Sequence, residues 1–285
     1  MPNVERLHWR LYVTDTIGTG SLKALFKFPF QGSNWKNSFI IGTALTFANF
    51  VLPIVPALFV SGYTLRVMRQ AIEGQESTLP AWDDWGKLIT DGLRMTLVSL
   101  VYLLPAGLLF IGGWGLYMIV SFTVPFLMST GGSEQATSAS AGLAVLAIFG
   151  SFAIMVFSMF LGSLLLVLGA IPLPVATGHF VAQDKVGAAF RVREWWPILR
   201  ANKLGYFVSW VVVMGLFAVL YYLVSLAYIT VILCFFIPLL MAPIGFYLSL
   251  ISAALFGQTY RESVSLRDAR ATGVNTSSDL VPVVG

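Results

Sequence analysis

Hydrophobic and polar positions alternate along this chain in long blocks. No Asp, Glu, Lys or Arg occurs in four stretches, residues 37–65, 95–133, 135–183 and 204–260. A helix needs about 20 apolar residues to cross a bilayer, and each stretch exceeds that length. The pattern therefore predicts an all-α fold, a polytopic transmembrane helical bundle.

We expect about four to six membrane helices, because two of the stretches do not read as single crossings. Residues 39–65 contain Pro53 and Pro56, and each proline removes a backbone hydrogen bond and clashes with the preceding turn. This segment is predicted to be broken, either as a kink or as a re-entrant hairpin. Residues 205–260 are long enough for two crossings, with a turn near residues 227–230.

Proline, glycine and serine mark other features of the predicted helices. Pro105 and the Gly-Gly-Trp-Gly run at residues 112–115 predict that the helix of residues 95–130 ends or bends. Pro238 and Pro243 predict a bend in the last helix. Small residues in the stretch 141–178 favour close helix contact; they are Gly150, Ser158, Gly162 and Gly169.

Two polar connectors with amphipathic character separate the apolar stretches. Residues 78–93 read TLPAWDDWGKLITDGL. At roughly 100° per residue, their tryptophans, leucines and isoleucine fall on one side and the charges on the other. We predict a short helix lying flat on the membrane surface, with Pro80 in its first turn. The second connector, residues 179–204, carries Trp195 and Trp196 among five basic residues.

Composition supports an integral membrane protein. The chain is 57% hydrophobic and only 11% charged, with a mean hydropathy of +0.82, whereas soluble domains carry about 25% charged residues. The pI of about 9.2 reflects basic connectors rather than a nucleic-acid partner. The one cysteine, Cys234, cannot form an internal disulfide.

The distribution of basic residues predicts the topology. Residues 66–94 contain four Lys or Arg, residues 185–203 contain five, and three follow residue 260. The loop at residues 131–140 has none. The positive-inside rule therefore places both charged connectors and the C-terminus in the cytoplasm. Five basic residues in the first 36 favour the same side for the N-terminus, which requires residues 39–65 to form a hairpin rather than one crossing.

We divide the chain into three regions. Residues 1–36 form an N-terminal interfacial segment without a signal peptide, in which residues 22–30 either anchor at the interface or pack as a loop on the bundle. Residues 37–260 form the membrane domain, and residues 261–285 a polar, disordered tail. A parallel internal repeat of residues 37–130 and 141–260 is suggested by Gly62-Tyr63 and Gly178-His179, each of which precedes a tryptophan-bearing connector.

Few residues suggest chemistry. The carboxylates of Asp83, Asp84 and Asp91 are suited to acid–base work or to a divalent cation. However, Asp83, Lys87 and Asp91 stand at i, i+4 and i+8, the spacing of a solvated charge stripe. His8 and His179 have no Cys, Asp or Glu at the spacing of a metal site. We therefore expect no catalytic residue, no cofactor and no metal.

The first connector also resembles a known family. The pattern Gly-Tyr, Arg-Val-x-Arg, Pro-x-Trp-Asp-Asp-Trp-Gly and Asp-Gly is similar to that of the uncharacterised prokaryotic membrane family called domain of unknown function 4013. The matching positions are Gly62, Tyr63, Arg66, Val67, Arg69, Pro80, Trp82, Asp83, Asp84, Trp85, Gly86, Asp91 and Gly92. With Lys87, Trp195 and Trp196, they are the candidate motif and interfacial residues. The resemblance spans residues 25–260 and implies a multi-pass protein of a bacterial or archaeal cytoplasmic membrane.

Three functions fit these features. The first is a non-catalytic accessory or scaffold subunit, in contact with the lipid bilayer and with a protein partner or a second copy. The second is a carrier or channel for a neutral or amphiphilic molecule, with the broken helices as its site. The third is a membrane-embedded enzyme that uses the aspartates. Ion-coupled transport is disfavoured, because the apolar stretches carry no Asp, Glu, Lys or Arg.

Overall fold

A computed structural model describes residues 19–75, 78–130, 138–228 and 236–272 of the chain. Within these ranges the fold is all-α, as predicted. The helices are α1 (Thr19–Lys27), followed by a 3-10 turn (Phe28–Phe30), α2 (Trp35–Ala48), α3 (Val55–Glu73), α4 (Trp85–Thr130), α5 (Ser138–Ala170), α6 (Leu173–Gln183), α7 (Val186–Ala189), α8 (Val192–Ala201), α9 (Lys203–Tyr228) and α10 (Ile237–Ala271).

Four helical stretches of the described residues are long and apolar enough to cross a membrane. They are Trp85–Thr130, Ser140–Gln183, Lys203–Leu226 and Ile237–Ala271. The second comprises α5 and α6, and the last two confirm that residues 205–260 hold two helices. The predicted polytopic helical bundle is therefore confirmed.

The chain divides into two compact units. The first combines residues 1–98 with residues 174–285, and the second is residues 99–173. In the first unit, α10 contacts α1, α2, α3, α8 and α9. Phe246, Leu250 and Ile251 of α10 are fully buried in its core, together with Tyr63 and Leu88. This arrangement makes α10 the central helix of the first unit.

The segment with Pro53 and Pro56 is broken, as predicted. Helix α2 ends at Ala48, α3 begins at Val55, and the two helices pack against each other. Pro56 lies in the first turn of α3, where its missing N–H costs no hydrogen bond. The hairpin form of this segment is therefore favoured over a single straight helix.

Residues 23–30 of the N-terminal segment pack within the first unit. Leu25 and Phe28 are buried in its core, and the hydroxyl of Tyr247 donates to the carbonyl of Phe26 at 2.9 Å. The sequence predicts that residues 22–30 either anchor at the membrane interface or pack on the bundle as a loop. The burial of Leu25 and Phe28 favours packing on the bundle, but the residues form a helix and a 3-10 turn rather than a loop.

Three predicted helix boundaries are wrong. Residues 78–84 are not helical, so Pro80 is not in a first turn, and Trp85 begins a helix of 46 residues rather than a short surface helix. The helix does not end at Pro105 or at residues 112–115 but runs to Thr130, and the alternative of a bend at these positions stays a prediction. Helix α10 extends to Ala271, so it includes the first eleven residues of the predicted tail. The polar loop at residues 131–137 and the predicted disorder of residues 273–285 fall outside the described residues.

The second unit packs through small residues, in part as predicted. A Cβ at Gly113 would lie 2.5 Å from that of Ser158, and one at Gly169 would lie 2.5 Å from the carbonyl oxygen of Tyr102. Gly162 lies against the ring of Phe110, whereas Gly150 has no neighbour within 4 Å. Three of the four predicted small residues therefore serve contacts between α4 and α5.

Two glycines of the motif bring α3 and α4 into backbone contact. A Cβ at Gly62 of α3 would overlap the carbonyl oxygen of Leu88, and a Cβ at Gly92 of α4 would overlap that of Leu58. The two contacts are reciprocal, since each helix offers a glycine to the other's backbone. Only glycine permits this approach, because the obstacle is main chain that cannot rotate away.

We predict that Gly62→Ala lowers the free energy of unfolding by about 1–3 kcal/mol, the usual cost of overpacking a close contact. Thermal unfolding in detergent measures the effect. Gly86→Ala is the matched control, because a Cβ there would meet only an Asp84 carboxylate oxygen at 3.9 Å. Equal effects of the two substitutions would contradict the helix contact.

Candidate functional site

The carbonyl oxygen of Pro80 is the centre of the motif. It accepts hydrogen bonds from the hydroxyls of Tyr63 at 2.8 Å and Ser38 at 3.1 Å. The indole N–H of Trp82 donates in turn to the carbonyl of Ser38 at 2.8 Å. The rings of Tyr63 and Trp82 stack with centroids 4.1 Å apart and planes 6° apart. These contacts, which we call the Pro80 clasp, hold residues 78–84 against α2 and α3.

Arg66 binds the same segment from one turn further along α3. Its guanidinium forms an ion pair with Asp83 and also donates to the carbonyls of Ala81 and Asp84, both at 3.3 Å. Asp83 is largely exposed, so the ion pair itself contributes little. The bonds to two backbone carbonyls give Arg66 its specific role, because they fix the course of the chain into α4.

Asp84 begins α4 as its N-cap. Its carboxylate accepts the backbone N–H of Lys87 at 3.2 Å, and its φ of +49° lies in the left-handed region. A side-chain oxygen at this position satisfies an N–H that has no partner within the helix. Asp84 thus stabilises the N-terminus of α4 at Trp85.

The predicted charge stripe of Asp83, Lys87 and Asp91 is wrong. Asp91 is only 2% exposed, and its carboxylate lies 3.4 Å from the guanidinium of Arg94. Asp83 belongs to the non-helical segment, so the i, i+4, i+8 spacing does not apply to it. The three aspartates therefore form no cluster: one pairs with Arg66, one caps α4 and one is buried beside Arg94.

A second set of charges joins the two connectors. Asp184, just after α6, accepts from Arg69 of α3 at 2.9 Å and lies 4.0 Å from Arg94 of α4. Asp184 has a φ of +51°, which aspartate tolerates better than most residues. One carboxylate thus links three helices that are distant in sequence, a role that sequence analysis missed.

The remaining motif residues differ in their surroundings. Trp85 is exposed beside Trp82 and Phe59, with centroid distances of 5.6 and 5.3 Å. Lys87 is exposed, and Trp196 is 42% exposed. Trp195 is instead a core residue, 3% exposed, whose indole N–H donates to the carbonyl of Ala189 at 2.9 Å.

His179 is the most important residue that sequence analysis misjudged. Its Nδ1 lies 2.8 Å from the hydroxyl of Tyr260, and its Nε2 lies 3.0 Å from a carboxylate oxygen of Glu194. The side-chain amide of Gln183 donates to the same oxygen at 3.2 Å. His179 therefore lies between a phenol and a carboxylate, and Glu194, the one acid among the five bases of residues 185–203, was the available signal.

The imidazole of His179 has hydrogen-bonding partners on both sides. Its Nε2 faces the carboxylate of Glu194 at 3.0 Å and the side-chain amide of Gln183 at 2.8 Å. A neutral imidazole donates through one ring nitrogen and accepts through the other, so its tautomer decides whether Tyr260 or Glu194 receives the N–H. Tyr260 and His179 are buried, while Glu194 is partly exposed. The hydrogen bond from His179, aided by those from Gln183 and Arg191, holds the pKa of Glu194 below its usual value.

Comparison with known proteins agrees with the motif. A family model described as Protein of unknown function (DUF4013) matches residues 45–229, more than half of the chain. The chain belongs to the DUF4013 family. The match covers Tyr63, Pro80 and Trp82 of the Pro80 clasp but not Ser38, and it also covers Asp184, His179 and Glu194; it ends before α10. This DUF4013 protein matches no curated protein and no solved structure. Among its described residues, no group of three His, Cys, Asp or Glu side chains is placed to hold a metal ion.

We predict that Glu194 makes stability depend on pH. Since its pKa is lower in the folded protein than in the unfolded chain, its contribution is present above the ordinary carboxylate pKa. It is lost as the pH falls through the lowered value. The difference in melting temperature between wild type and Glu194→Gln should therefore shrink on acidification from neutral pH. A constant difference would show that the carboxylate's charge is not involved.

Proposed function

We propose that this DUF4013 protein is a non-catalytic accessory or scaffold subunit of a prokaryotic cytoplasmic membrane. The observation that carries the proposal is that the charged groups of the motif are directed at the protein itself. Arg66 and Asp84 bind backbone groups, Asp91 pairs with Arg94, and Arg69 pairs with Asp184. Such a motif maintains a fixed arrangement of helices rather than presenting reactive groups.

The links between connectors support the proposed sidedness. Arg69 lies near the end of α3, Asp184 directly follows α6, and Arg94 lies in the first turns of α4. Because these charges meet, both basic connectors belong on the same side of a membrane. The positive-inside rule then favours the cytoplasmic side.

The second unit supports a role in binding a partner. Its part of α4, residues 99–130, is about 48 Å long at 1.5 Å per residue, whereas the hydrocarbon core of a bilayer is about 30 Å thick. Tilting shortens the span, but even at about 40° the helix exceeds that core. Large apolar side chains near its end are well exposed; they include Phe122, Phe126 and Leu127. Because this end of the helix extends beyond the hydrocarbon core, a protein partner accounts for its exposed apolar side chains better than lipid alone.

A second candidate function, a membrane-embedded enzyme, is favoured by one observation. The hydrogen-bonded row of Tyr260, His179 and Glu194 resembles an acid–base relay, in which a carboxylate orients an imidazole against a hydroxyl. The burial of Tyr260, 4% exposed, counts against it, because a substrate needs to reach the hydroxyl.

Substitutions at Asp84 and Tyr260 distinguish these functions in the full-length chain. Asp84→Asn keeps an oxygen for the N–H of Lys87 and tolerates a positive φ. We expect its free energy of unfolding to stay within about 0.5 kcal/mol of wild type, whereas Asp84→Ala should lose about 1–2 kcal/mol. Rescue of a gene-deletion phenotype, and the yield of cross-linked partner, should follow stability in both variants.

The control is Asp268→Asn, which removes an exposed carboxylate that is not part of the motif. A stable Asp84→Asn protein that fails to rescue the deletion would contradict the scaffold, because only the carboxylate's chemistry would have been lost. A stable Tyr260→Phe protein that fails in the same assay would favour the enzyme.

A further inference from the structure

Helix α8 has one face in the protein and one face outside it. Its buried face carries Trp195, Ile198 and Ala201 and packs against α10. Its exposed face carries Arg193, Trp196 and Arg200, at the i, i+3 and i+7 spacing that places side chains along one side of a helix. The exposed face thus consists of two cations on either side of one indole.

Within the part of the chain that the structure describes, the two cations of this face have no acidic partner. The ion pairs found among the described residues do not include Arg193 or Arg200. The guanidinium of Arg200 lies 5.2 Å from the ring centroid of Trp196, a cation–π contact that orients it without neutralising it. Glu194, the only acid within residues 185–203, is engaged by His179 and Arg191. The face therefore offers uncompensated positive charge.

The position of α8 places this face at a membrane boundary. The helix lies between the candidate spans Ser140–Gln183 and Lys203–Leu226, and α9 begins two residues after it ends. Leu204 and Phe207, in the first turns of α9, are well exposed, as lipid-facing residues are. The exposed face of α8 therefore lies where a spanning helix enters the headgroup region.

We propose that the exposed face of α8 binds the headgroups of anionic phospholipids. Arginine forms paired hydrogen bonds with phosphate oxygens, and tryptophan favours the depth of the headgroups. Clusters of four or more basic residues next to a spanning helix attract anionic lipid, and residues 185–203 contain five. Lipid is favoured over an acidic protein segment because the indole of Trp196 and the entry of α9 belong to the bilayer surface. This proposal does not depend on the scaffold function.

Lipid titration of the purified full-length protein tests the proposal. Native mass spectrometry gives the apparent dissociation constant of phosphatidylglycerol and of phosphatidylcholine with the same acyl chains. We expect wild type to prefer phosphatidylglycerol. The double variant Arg193→Gln/Arg200→Gln should weaken that lipid about 30-fold, since each basic side chain near an anionic surface contributes roughly fivefold. Binding of phosphatidylcholine should not change.

The matched control is Arg267→Gln/Arg270→Gln, which removes the same charge from the end of α10. It should retain the wild-type preference, and melting temperatures in neutral detergent show whether either variant is misfolded. Equal binding of the two lipids by wild type would overturn the proposal and leave the face to an acidic protein partner. Equal loss in the two double variants would also overturn it, because net charge rather than α8 would then bind the lipid.

Discussion

The carbonyl oxygen of Pro80 accepts hydrogen bonds from two hydroxyl groups, and the rest of the motif depends on these two bonds. Residues 78–84 are irregular yet lie against helices of a membrane protein, where polar backbone groups need partners other than lipid. Ser38 and Tyr63 supply those partners at Pro80, and Arg66 supplies them at the neighbouring carbonyls. Tyr63 stacks on Trp82, and the adjacent Gly62 lets the backbone of α4 approach α3 closely.

The second connector is also held against the helices by polar contacts, but through different groups. Glu194 in α8 reaches back to His179 and Gln183 in α6, much as Asp83 reaches back to Arg66 in α3. Asp184 then joins α6 to α3 and α4. Together these contacts form a polar layer in the first unit, in which each charge has a neighbour of opposite sign or a backbone partner. The similarity of the two connectors accords with a parallel internal repeat, which stays a prediction.

The sequence predicted those features that depend on local composition. Long uncharged stretches are sufficient to locate spanning helices, and Pro53 with Pro56 is sufficient to break the first one. The start of α4 could not be predicted in the same way. The amphipathic pattern of residues 78–93 is compatible both with a helix that begins at Pro80 and with one that begins at Trp85. The stacking of Trp82 on Tyr63, 19 residues away, favours the later start. Asp91 falls on the polar side of the predicted helix, so the sequence suggests an exposed residue. Its burial results from the packing of α4 in the folded protein. Tyr260 lies 81 residues from His179, so no spacing rule connects them.

The stack of Tyr63 on Trp82 is the most direct test of this account. A double-mutant cycle of Tyr63→Leu and Trp82→Leu, followed by equilibrium unfolding in detergent, measures how far the two side chains stabilise each other. Stacked aromatic pairs contribute about 0.5–1.5 kcal/mol beyond their burial. We therefore expect a coupling free energy of about 1 kcal/mol between Tyr63 and Trp82. Effects that add within about 0.3 kcal/mol would mean that the two residues act independently, which would contradict the Pro80 clasp as the centre of the motif.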